Sequence, residues 1–315
     1  MAPTPTITPS LTALINETVR KVLADHLGST SAIDNGSQTL SARDLFHTEP
    51  VEDLKAQIVA AGQKLWQRQY VDGNGGNISV RINDELILCT PTLCSKGDLR
   101  ADELSIVDLQ NRHIFGVRPH TSEILLHLEI YKAVPEAKAV IHCHPPYATA
   151  HAVAGVIPQG DLIPEQEVFI GPVALAPYDT PGTQAFAETI LPFVRKHNTI
   201  LLANHGIVSW ADTVSHAEWF VEIIETYCKT IMIASQLRNP LPQIPRDKIQ
   251  DILAIKKRLG LPDARFPDDD AAAQVAAAVA SQPAPQPESI SRGFDMDELA
   301  DVVTAKILKA LEERA

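Results

Sequence analysis

Two histidines one residue apart, His142 and His144, follow an apolar run and stand directly before two prolines. Side chains alternate along an extended strand, so the two imidazoles project to the same side while Cys143 points to the other. Such a pair can bind a metal ion through two nitrogens, although polar strand faces also carry histidines. Because prolines interrupt regular pairing, we expect the pair to lie at the end of a strand.

Two further stretches contain side chains that could complete a metal site. Pro119 and the hydroxyl residues after it form a helix-start signal, which puts Glu123 in the first turn of a helix. A carboxylate there could also serve only to complement the helix dipole. His205 follows a second apolar strand pattern, where a histidine can equally be a hydrogen-bonded core residue. From the residues alone, both alternatives stay open.

Two polar loops could bind an anion. The segment 71–77 contains three glycines and two asparagines before a strand, and it offers backbone N–H groups and amide side chains to an oxyanion. It is neither a Walker loop, since no GK[ST] follows, nor a dinucleotide motif, since a strand comes next. An ordinary turn would have the same composition. Lys96 lies in the polar turn after the strand pattern 85–91 and could meet the same anion.

Composition limits the class of protein. The chain has 315 residues, 45% of them hydrophobic, and a net charge of -12. This acidity argues against a nucleic-acid-binding surface, which needs clustered Lys and Arg. No apolar run of eighteen or more residues and no signal-peptide pattern is present, so we expect no membrane partner and an intracellular, cytoplasmic protein. The four cysteines show no CxxC spacing and fit a reducing compartment.

Periodicity and composition divide the chain into four parts. We predict an amphipathic helix over 11–27 and a linker within residues 1–48, and a main domain over residues 49–265. We predict an Ala/Pro-rich linker over residues 266–293 and a second amphipathic helix over residues 294–315. Within the main domain we predict a helix over 184–196 and a long helix over 216–237 whose inward face includes Trp219. The C-terminal helix either docks onto a partner or packs on its own or a neighbouring protomer.

Six short motifs occur along the main domain. They are GNGGNISVR at 73–81, TPT at 90–92, TSE at 121–123, HCHPPYAT at 142–149, APYDTPGT at 176–183 and NHG at 204–206. Together they make residues 49–260 resemble the class II aldolase and adducin-head family, and above all its zinc-dependent L-fuculose-1-phosphate aldolase group. The resemblance implies an α/β fold of three layers, α/β/α, with a central, mainly antiparallel sheet.

The resemblance also implies roles for single residues. His142, His144 and His205 would hold Zn²⁺ or another divalent ion, and Glu123 would be the fourth ligand and the catalytic acid/base. Tyr178, in the APY motif, would act at the aldehyde oxygen from a neighbouring subunit of a homotetramer. The residues implied for binding substrate phosphate are Asn77, Thr92, Thr121 and Ser122, with Lys96 as an added charge. Leu93 stands where phosphate-cleaving members typically carry glycine, which could reshape that pocket.

The activity implied is a carbon–carbon lyase: cleavage of a fuculose- or rhamnulose-type ketose 1-phosphate to dihydroxyacetone phosphate and lactaldehyde through a zinc-stabilised enediolate. Two alternatives stay open. One is a zinc-dependent decarboxylase of a 3-oxo sugar acid or its phosphate, which releases carbon dioxide without an aldehyde. The other is a non-catalytic adducin-like interaction head, against which the complete ligand set argues. The terminal helices resemble encapsulation peptides, which implies a bacterial microcompartment shell protein as a partner.

Overall fold

The computed structural model describes residues 40–266, and an eight-stranded sheet lies at its centre. The strands, in chain order, are β1 Asn77–Arg81, β2 Leu86–Cys89, β3 Ser105–Asp108, β4 His113–Phe115, β5 Ala139–Cys143, β6 Ala174–Ala176, β7 Thr199–Leu202 and β8 Gly206–Ala211. Their order across the sheet is β4-β3-β2-β1-β5-β8-β7-β6. Strands β1, β5 and β8 are therefore neighbours although they are far apart in sequence.

The direction of the strands agrees with the prediction of a mainly antiparallel sheet. Every pair of neighbours is antiparallel except β6 and β7, so the sheet is mixed. In the centre, Asn77 of β1 lies opposite His142 of β5, and Cys143 of β5 lies opposite Ile207 of β8. This register brings Asn77, His142 and the beginning of β8 to the same end of the sheet.

Helices cover both faces of the sheet. They are α1 Ala42–Phe46, α2 Glu49–Gln67, α3 Ile124–Ala133, α4 Pro146–Ala154, α5 Pro164–Phe169, α6 Gln184–Glu188, α7 Val214–Leu237 and α8 Arg246–Arg258, with a 3₁₀ turn at Ala101–Glu103. Alternate residues of β5 enter separate cores: Ile141 packs with residues of α2, α4 and α7, and Val140 packs with residues of α3 and α6. The predicted three-layer α/β/α fold is confirmed.

Two predicted helices differ from the observed ones. The helix predicted over 184–196 ends at Glu188 and continues as turns, because Pro192 lacks the N–H that a helix needs and disfavours the helical conformation of the residue before it. The long helix is present, but Trp219 is half exposed while Phe220 and Ile224 are buried. The inward stripe is therefore shifted by one residue from the predicted one.

The folded region begins before residue 49. The short helix α1 is capped by Ser41, whose hydroxyl accepts from the Asp44 N–H. Phe46 is 2% exposed, lies 5.0 Å from the ring of Phe115 between centroids, and has the Lys55 ammonium 4.0 Å above its own ring. The predicted terminal helices at 11–27 and 294–315 lie outside the described residues. Within residues 40–266, no helix is both long and apolar enough to cross a bilayer.

Candidate metal centre and anion pocket

Three histidines from two separate parts of the chain converge at one end of the sheet. The rings of His142 and His144 lie 4.9 Å apart between centroids, and His205 lies 4.6 Å from the first and 5.0 Å from the second. One nitrogen from each ring can be chosen so that all three lie within 4.8 Å of one another. The predicted grouping of these three side chains is therefore present in the fold.

The local backbone explains why they meet. The strand β5 ends at Cys143, so His142 is the last residue of the strand on its face of the sheet. His144 lies just after the strand and directly before the two prolines. His205 belongs to the tight turn between Leu202 and Gly206, which are paired across β7 and β8. A Cβ at position 206 would lie 2.5 Å from the carbonyl oxygen of Cys143 and 2.6 Å from His144 Cδ2. Only glycine allows this turn to pack so closely against the end of β5.

Glu123 brings a carboxylate to the three imidazoles. It is the N-cap residue of α3 and thus lies one position before the first turn in which we predicted it. Its Oε2 is 3.3 Å from His142 Nε2, and its Oε1 is 3.4 Å from His205 Nε2. Oε2 also accepts a 2.9 Å hydrogen bond from Asn77 Nδ2, whereas Oε1 is buried without a hydrogen-bond donor. A buried carboxylate oxygen in this condition is costly unless another group satisfies it.

The four side chains fit a divalent cation. Ligand atoms of a tetrahedral zinc site, with bonds of about 2.0–2.1 Å, lie about 3.3 Å from one another. The Nε2 atoms of His142 and His144 are 3.1 Å apart, and the carboxylate contacts are 3.3 and 3.4 Å. Three imidazoles and one carboxylate are a donor set that zinc accepts. A cation among them would also satisfy the buried Glu123 Oε1.

Neighbouring groups fix the histidine tautomers. His142 Nδ1 lies 2.8 Å from the carbonyl oxygen of Ile207, an acceptor only, so Nδ1 carries the proton and Nε2 keeps its lone pair for a metal. His144 Nδ1 is 3.2 Å from Asp72 Oδ1, which has the same effect. Burial, together with His144 and His205, lowers the pKa of His142 well below its usual value. Burial likewise lowers the pKa of His205, which favours the neutral, coordinating form of the His142 and His205 rings.

An open cavity of about 110 Å³ adjoins this cluster. Its walls are the glycine-rich loop, the turn after β2 and the beginning of α3, and it shares Glu123 and His144 with the candidate metal centre. Of the residues predicted to bind phosphate, those lining the cavity are Asn77, Thr92, Thr121 and Ser122. Leu93 also lines it, with 74% of its surface exposed and φ at +51°, so its side chain stands at the rim of the cavity.

Lys96 lies elsewhere than predicted. Its side chain is 1% exposed, and its ammonium donates to the carbonyl oxygens of Cys94 at 2.6 Å and Asn74 at 3.3 Å. Burial lowers the pKa of Lys96 to about 8. The residue therefore connects the two loops that wall the cavity and does not line it.

Three further side chains act at the site without having been predicted. Asp72 orients His144, and the hydrogen bond from that ring lowers the pKa of the Asp72 carboxyl. The guanidinium of Arg118 donates to the carbonyl oxygens of Thr92 and Leu93 and so fixes the turn that borders the cavity. His127 is buried behind Asn77. Arg118 and His127 flank the TSE motif, but nothing in their spacing indicates which way they point.

Tyr178 lies away from the histidine cluster, on the surface. It follows β6, and 59% of its surface is exposed. Its hydroxyl makes no hydrogen bond to another group in the described range 40–266. The turn that it begins packs near the candidate site, since a Cβ at Gly182 would lie 3.2 Å from the carbonyl oxygen of Ser122. Its hydroxyl is therefore free to act on another molecule.

Comparison with known proteins places these features in context. Residues 56–232, more than half of the chain, match the Class II Aldolase and Adducin N-terminal domain family. A 3-oxo-tetronate 4-phosphate decarboxylase of Pectobacterium atrosepticum is 34% identical over 183 residues, covering 57% of this chain and 84% of that protein. An L-fuculose phosphate aldolase of Methanococcus vannielii is 34% identical over 178 residues, which cover 56% of this chain and 94% of that protein. Among solved structures, an L-fuculose 1-phosphate aldolase has a TM-score of 0.60 and 26% sequence identity. The match covers 66% of this chain and 97% of that protein.

Proposed function

The chain belongs to the class II aldolase and adducin family, and on that premise we propose that it is a metal-dependent aldolase that cleaves a ketose 1-phosphate. The observation that carries the proposal is the cluster of His142, His144, His205 and Glu123. The histidine nitrogens lie within 4.8 Å of one another, and the Glu123 oxygens lie 3.3 Å from His142 Nε2 and 3.4 Å from His205 Nε2. An interaction module has no use for a buried carboxylate oxygen left without a donor beside three imidazoles. Zinc is the ion that these donors suit, and when bound it would act as a Lewis acid on the substrate oxygens.

The adjoining cavity favours a phosphate near the reacting carbonyl. Backbone N–H groups of the glycine-rich loop and the hydroxyls of Thr92, Thr121 and Ser122 are groups that bind phosphate oxygens. In a ketose 1-phosphate the phosphate is one carbon away from the C2 carbonyl. A substrate with that short spacing can occupy both the cavity and the cluster, because the two share Glu123 and His144.

The cleavage needs proton transfers at two atoms. The C4 hydroxyl loses its proton as the C3–C4 bond breaks, which gives an aldehyde, and the electron pair left on C3 passes into the C2 carbonyl before C3 takes up a proton. Glu123 can carry a proton at C3 once its carboxylate no longer serves as a metal ligand, because Oε1 then has no hydrogen-bond donor within the described residues. Tyr178 is exposed, and its hydroxyl is unpaired within the described residues. It would exchange a proton with the C4 oxygen of a substrate that is bound in a neighbouring subunit. The products from a fuculose- or rhamnulose-type substrate are dihydroxyacetone phosphate and lactaldehyde.

A second candidate is decarboxylation of a 3-oxo acid phosphate, favoured by the 34% identity to the Pectobacterium atrosepticum decarboxylase. A four-carbon 3-oxo acid 4-phosphate also has its phosphate one carbon away from the carbonyl. Loss of carbon dioxide from it leaves the same three-carbon hydroxyketone phosphate that aldol cleavage leaves. The two reactions therefore differ in the fragment that departs, aldehyde or carbon dioxide.

The departing fragment is the quantity to measure. Zinc-loaded protein is incubated with fuculose 1-phosphate, rhamnulose 1-phosphate and a 3-oxo-tetronate 4-phosphate, and aldehyde and carbon dioxide are both quantified. We expect aldehyde from a ketose phosphate, loss of activity on chelation, and a rate about 10²- to 10⁴-fold lower for Glu123→Gln. His216→Gln, at an exposed histidine outside the site, is the matched control and should keep full activity. Release of carbon dioxide from the 3-oxo acid phosphate, with no aldehyde from either ketose phosphate, would replace the aldolase with the decarboxylase.

We further propose that the protein is a homotetramer in which Tyr178 of one subunit completes the site of a neighbouring subunit.

We also propose that a microcompartment shell protein is a partner of the terminal segments. An amphipathic helix on a flexible tether can dock into an apolar groove. Removing residues 1–27 or 294–315 should leave lyase activity unchanged and abolish co-purification with shells. If a chain lacking both segments still enters shells, they are not the targeting elements.

A further inference from the structure

A chain of buried polar side chains lies behind Glu123. The Asn77 amide nitrogen donates to Glu123 Oε2, and the Asn77 Oδ1 lies 2.5 Å from His127 Nε2. His127 Nδ1 is 2.7 Å from Ser79 Oγ, which is 2.8 Å from the Tyr131 hydroxyl. All four side chains behind the carboxylate are at most 3% exposed.

The periods of one strand and one helix place these groups face to face. Asn77 and Ser79 are two residues apart in β1 and point to the same side of the sheet. Glu123, His127 and Tyr131 follow one another at intervals of four along α3 and its N-cap. Hydrogen bonds pass back and forth between the residues of β1 and those of α3 and its N-cap, and so connect all five side chains into a single chain.

The direction of every hydrogen bond in this chain follows from its first member. A carboxylate that serves as a metal ligand accepts hydrogen bonds, so Asn77 turns its NH₂ toward Glu123 and its carbonyl oxygen toward His127. His127 must then donate through Nε2–H and accept at Nδ1 from the Ser79 hydroxyl. The Ser79 oxygen in turn accepts from the Tyr131 hydroxyl. Burial lowers the pKa of His127 to about 3, which keeps the ring in the neutral form that this arrangement requires.

We infer that His127 is a positioning residue whose Nε2–H fixes the Asn77 amide so that the amide nitrogen, rather than its oxygen, faces Glu123. Without that donor, the buried Asn77 Oδ1 loses its hydrogen bond, and the amide is no longer held in place. As the amide shifts, its N–H leaves Glu123 Oε2, and Glu123 moves from its place 3.3 Å from His142. The inference rests on the proposed metal centre, and it assigns a function to a histidine outside the ligand set.

A matched buried pair in the same sheet makes the inference testable. Thr199 Oγ1 and Ser209 Oγ are 3.1 Å apart and fully buried, on β7 and β8. Ser209→Ala removes a buried hydroxyl and its one hydrogen bond to Thr199, whereas Ser79→Ala removes a buried hydroxyl with two hydrogen bonds, to His127 and Tyr131. Within the described residues, the Ser209 hydroxyl makes no hydrogen bond to a member of the chain from Glu123 to Tyr131. Both variants therefore remove one buried serine hydroxyl from the same sheet, and they differ in the connection of that hydroxyl to Glu123.

The experiment measures the dissociation constant for Co²⁺ by chelator competition, together with kcat, KM and the melting temperature. His127→Leu should weaken Co²⁺ binding about 10- to 100-fold and lower kcat at least about 10-fold with KM nearly unchanged. His127→Gln should recover most of both losses, because an amide supplies a donor to Asn77 and an acceptor to Ser79. Ser79→Ala should weaken Co²⁺ binding about fivefold, while Ser209→Ala leaves it unchanged.

Equal Co²⁺ affinity in Ser79→Ala and Ser209→Ala would overturn the inference, as would a His127→Leu protein that binds Co²⁺ like the wild type. If His127→Leu fails to fold, the comparison of the two serine variants still decides. The affinity measurement needs no substrate, so it separates this inference from the proposed function. A wild type that binds Co²⁺ but cleaves no sugar phosphate would contradict the proposed function alone.

Discussion

At the scale of single residues, Lys96 shows how a buried charge can support a site that it does not line. Its ammonium has two backbone carbonyl oxygens as acceptors, those of Asn74 and Cys94, and no carboxylate within residues 40–266 is bonded to it. Burying a cation with so little compensation is costly, and burial lowers the pKa of Lys96 to about 8. The benefit is that the two loops around the cavity are held together.

This lysine gives a pH dependence of stability with a definite sign. A lysine in an unfolded chain titrates near about 10.4. Between pH 8 and that value the unfolded chain binds more protons at this residue, so the free energy of unfolding rises with pH. The penalty for the buried charge is fully present below pH 8. Lys96→Met removes it, and the difference in unfolding free energy, wild type minus variant, should increase by up to about 3 kcal/mol from pH 8 to 10.5.

Denaturant unfolding at a series of pH values measures this difference directly. Other groups titrate in the same range, but they do so in both proteins and cancel in the subtraction. Parallel curves for the wild type and Lys96→Met would show that the Lys96 ammonium is not desolvated in the folded protein.

The residues of the candidate centre were more predictable than their supports. The strand alternation of His142 and His144, and the helix-start signal before Glu123, follow from local geometry, and the structure brings both together with His205. The positions of the Lys96 and Arg118 side chains could not be predicted from the sequence, because the direction of each side chain depends on which loops lie beside it. A charged residue in a polar turn has no periodicity that fixes its orientation.

At the scale of elements, the close approach of the β7–β8 turn to the end of β5 decides the geometry of the cluster. Gly206 is the contact point, since a Cβ there would lie 2.5 Å from Cys143 O and 2.6 Å from His144 Cδ2. Backbone at that distance cannot move without displacing His142, which precedes Cys143 in the same strand. The packing of two turns thus sets the separation of three ligands.

Gly206→Ala should therefore affect both stability and metal affinity. We expect a loss of about 1–3 kcal/mol in the free energy of unfolding from overpacking and a Co²⁺ affinity at least about 10-fold lower. Gly155→Ala is the control: this glycine ends α4 with φ at +68° and has no atom within 4 Å of its absent Cβ. It should cost about 1 kcal/mol and leave metal affinity unchanged. Equal metal affinities in the two variants would contradict the packing argument.

The elements themselves were only partly predictable. Apolar periodicity indicated the long helix α7 and the strands of the central sheet, but it placed Trp219 inward, and the stripe that is buried includes Phe220 and Ile224. A helix with apolar residues on more than one side does not specify which stripe meets the sheet. The adjacency of β1, β5 and β8 was equally hidden, because strand order depends on contacts between distant segments.

At the scale of the whole molecule, the fold alone does not determine the reaction. Proteins similar to this chain include an aldolase and a decarboxylase at the same identity of 34%. What the proposed aldolase needs beyond the metal cluster is a group at the departing aldehyde oxygen, and the exposed Tyr178 hydroxyl is the candidate. In the proposed assembly that group comes from a neighbouring subunit.

Mixing two inactive proteins tests this arrangement. Tyr178→Phe and Glu123→Gln should each lower activity strongly as pure assemblies. When the two are unfolded and refolded together at equal amounts, about a quarter of the sites should combine an intact Glu123 with an intact neighbouring Tyr178. Activity should then rise above that of either variant. If mixing restores nothing although mixed assemblies form, Tyr178 does not serve a neighbouring site.

The central claim is that one divalent ion is held by His142, His144, His205 and Glu123. Anomalous X-ray diffraction at the zinc edge, on crystals of zinc-loaded protein, tests it most directly. The account predicts one peak per chain among these four side chains, about 2.0–2.2 Å from three imidazole nitrogens and a Glu123 oxygen. A fully loaded crystal whose zinc peak lies elsewhere, or that shows none among these side chains, would contradict the account.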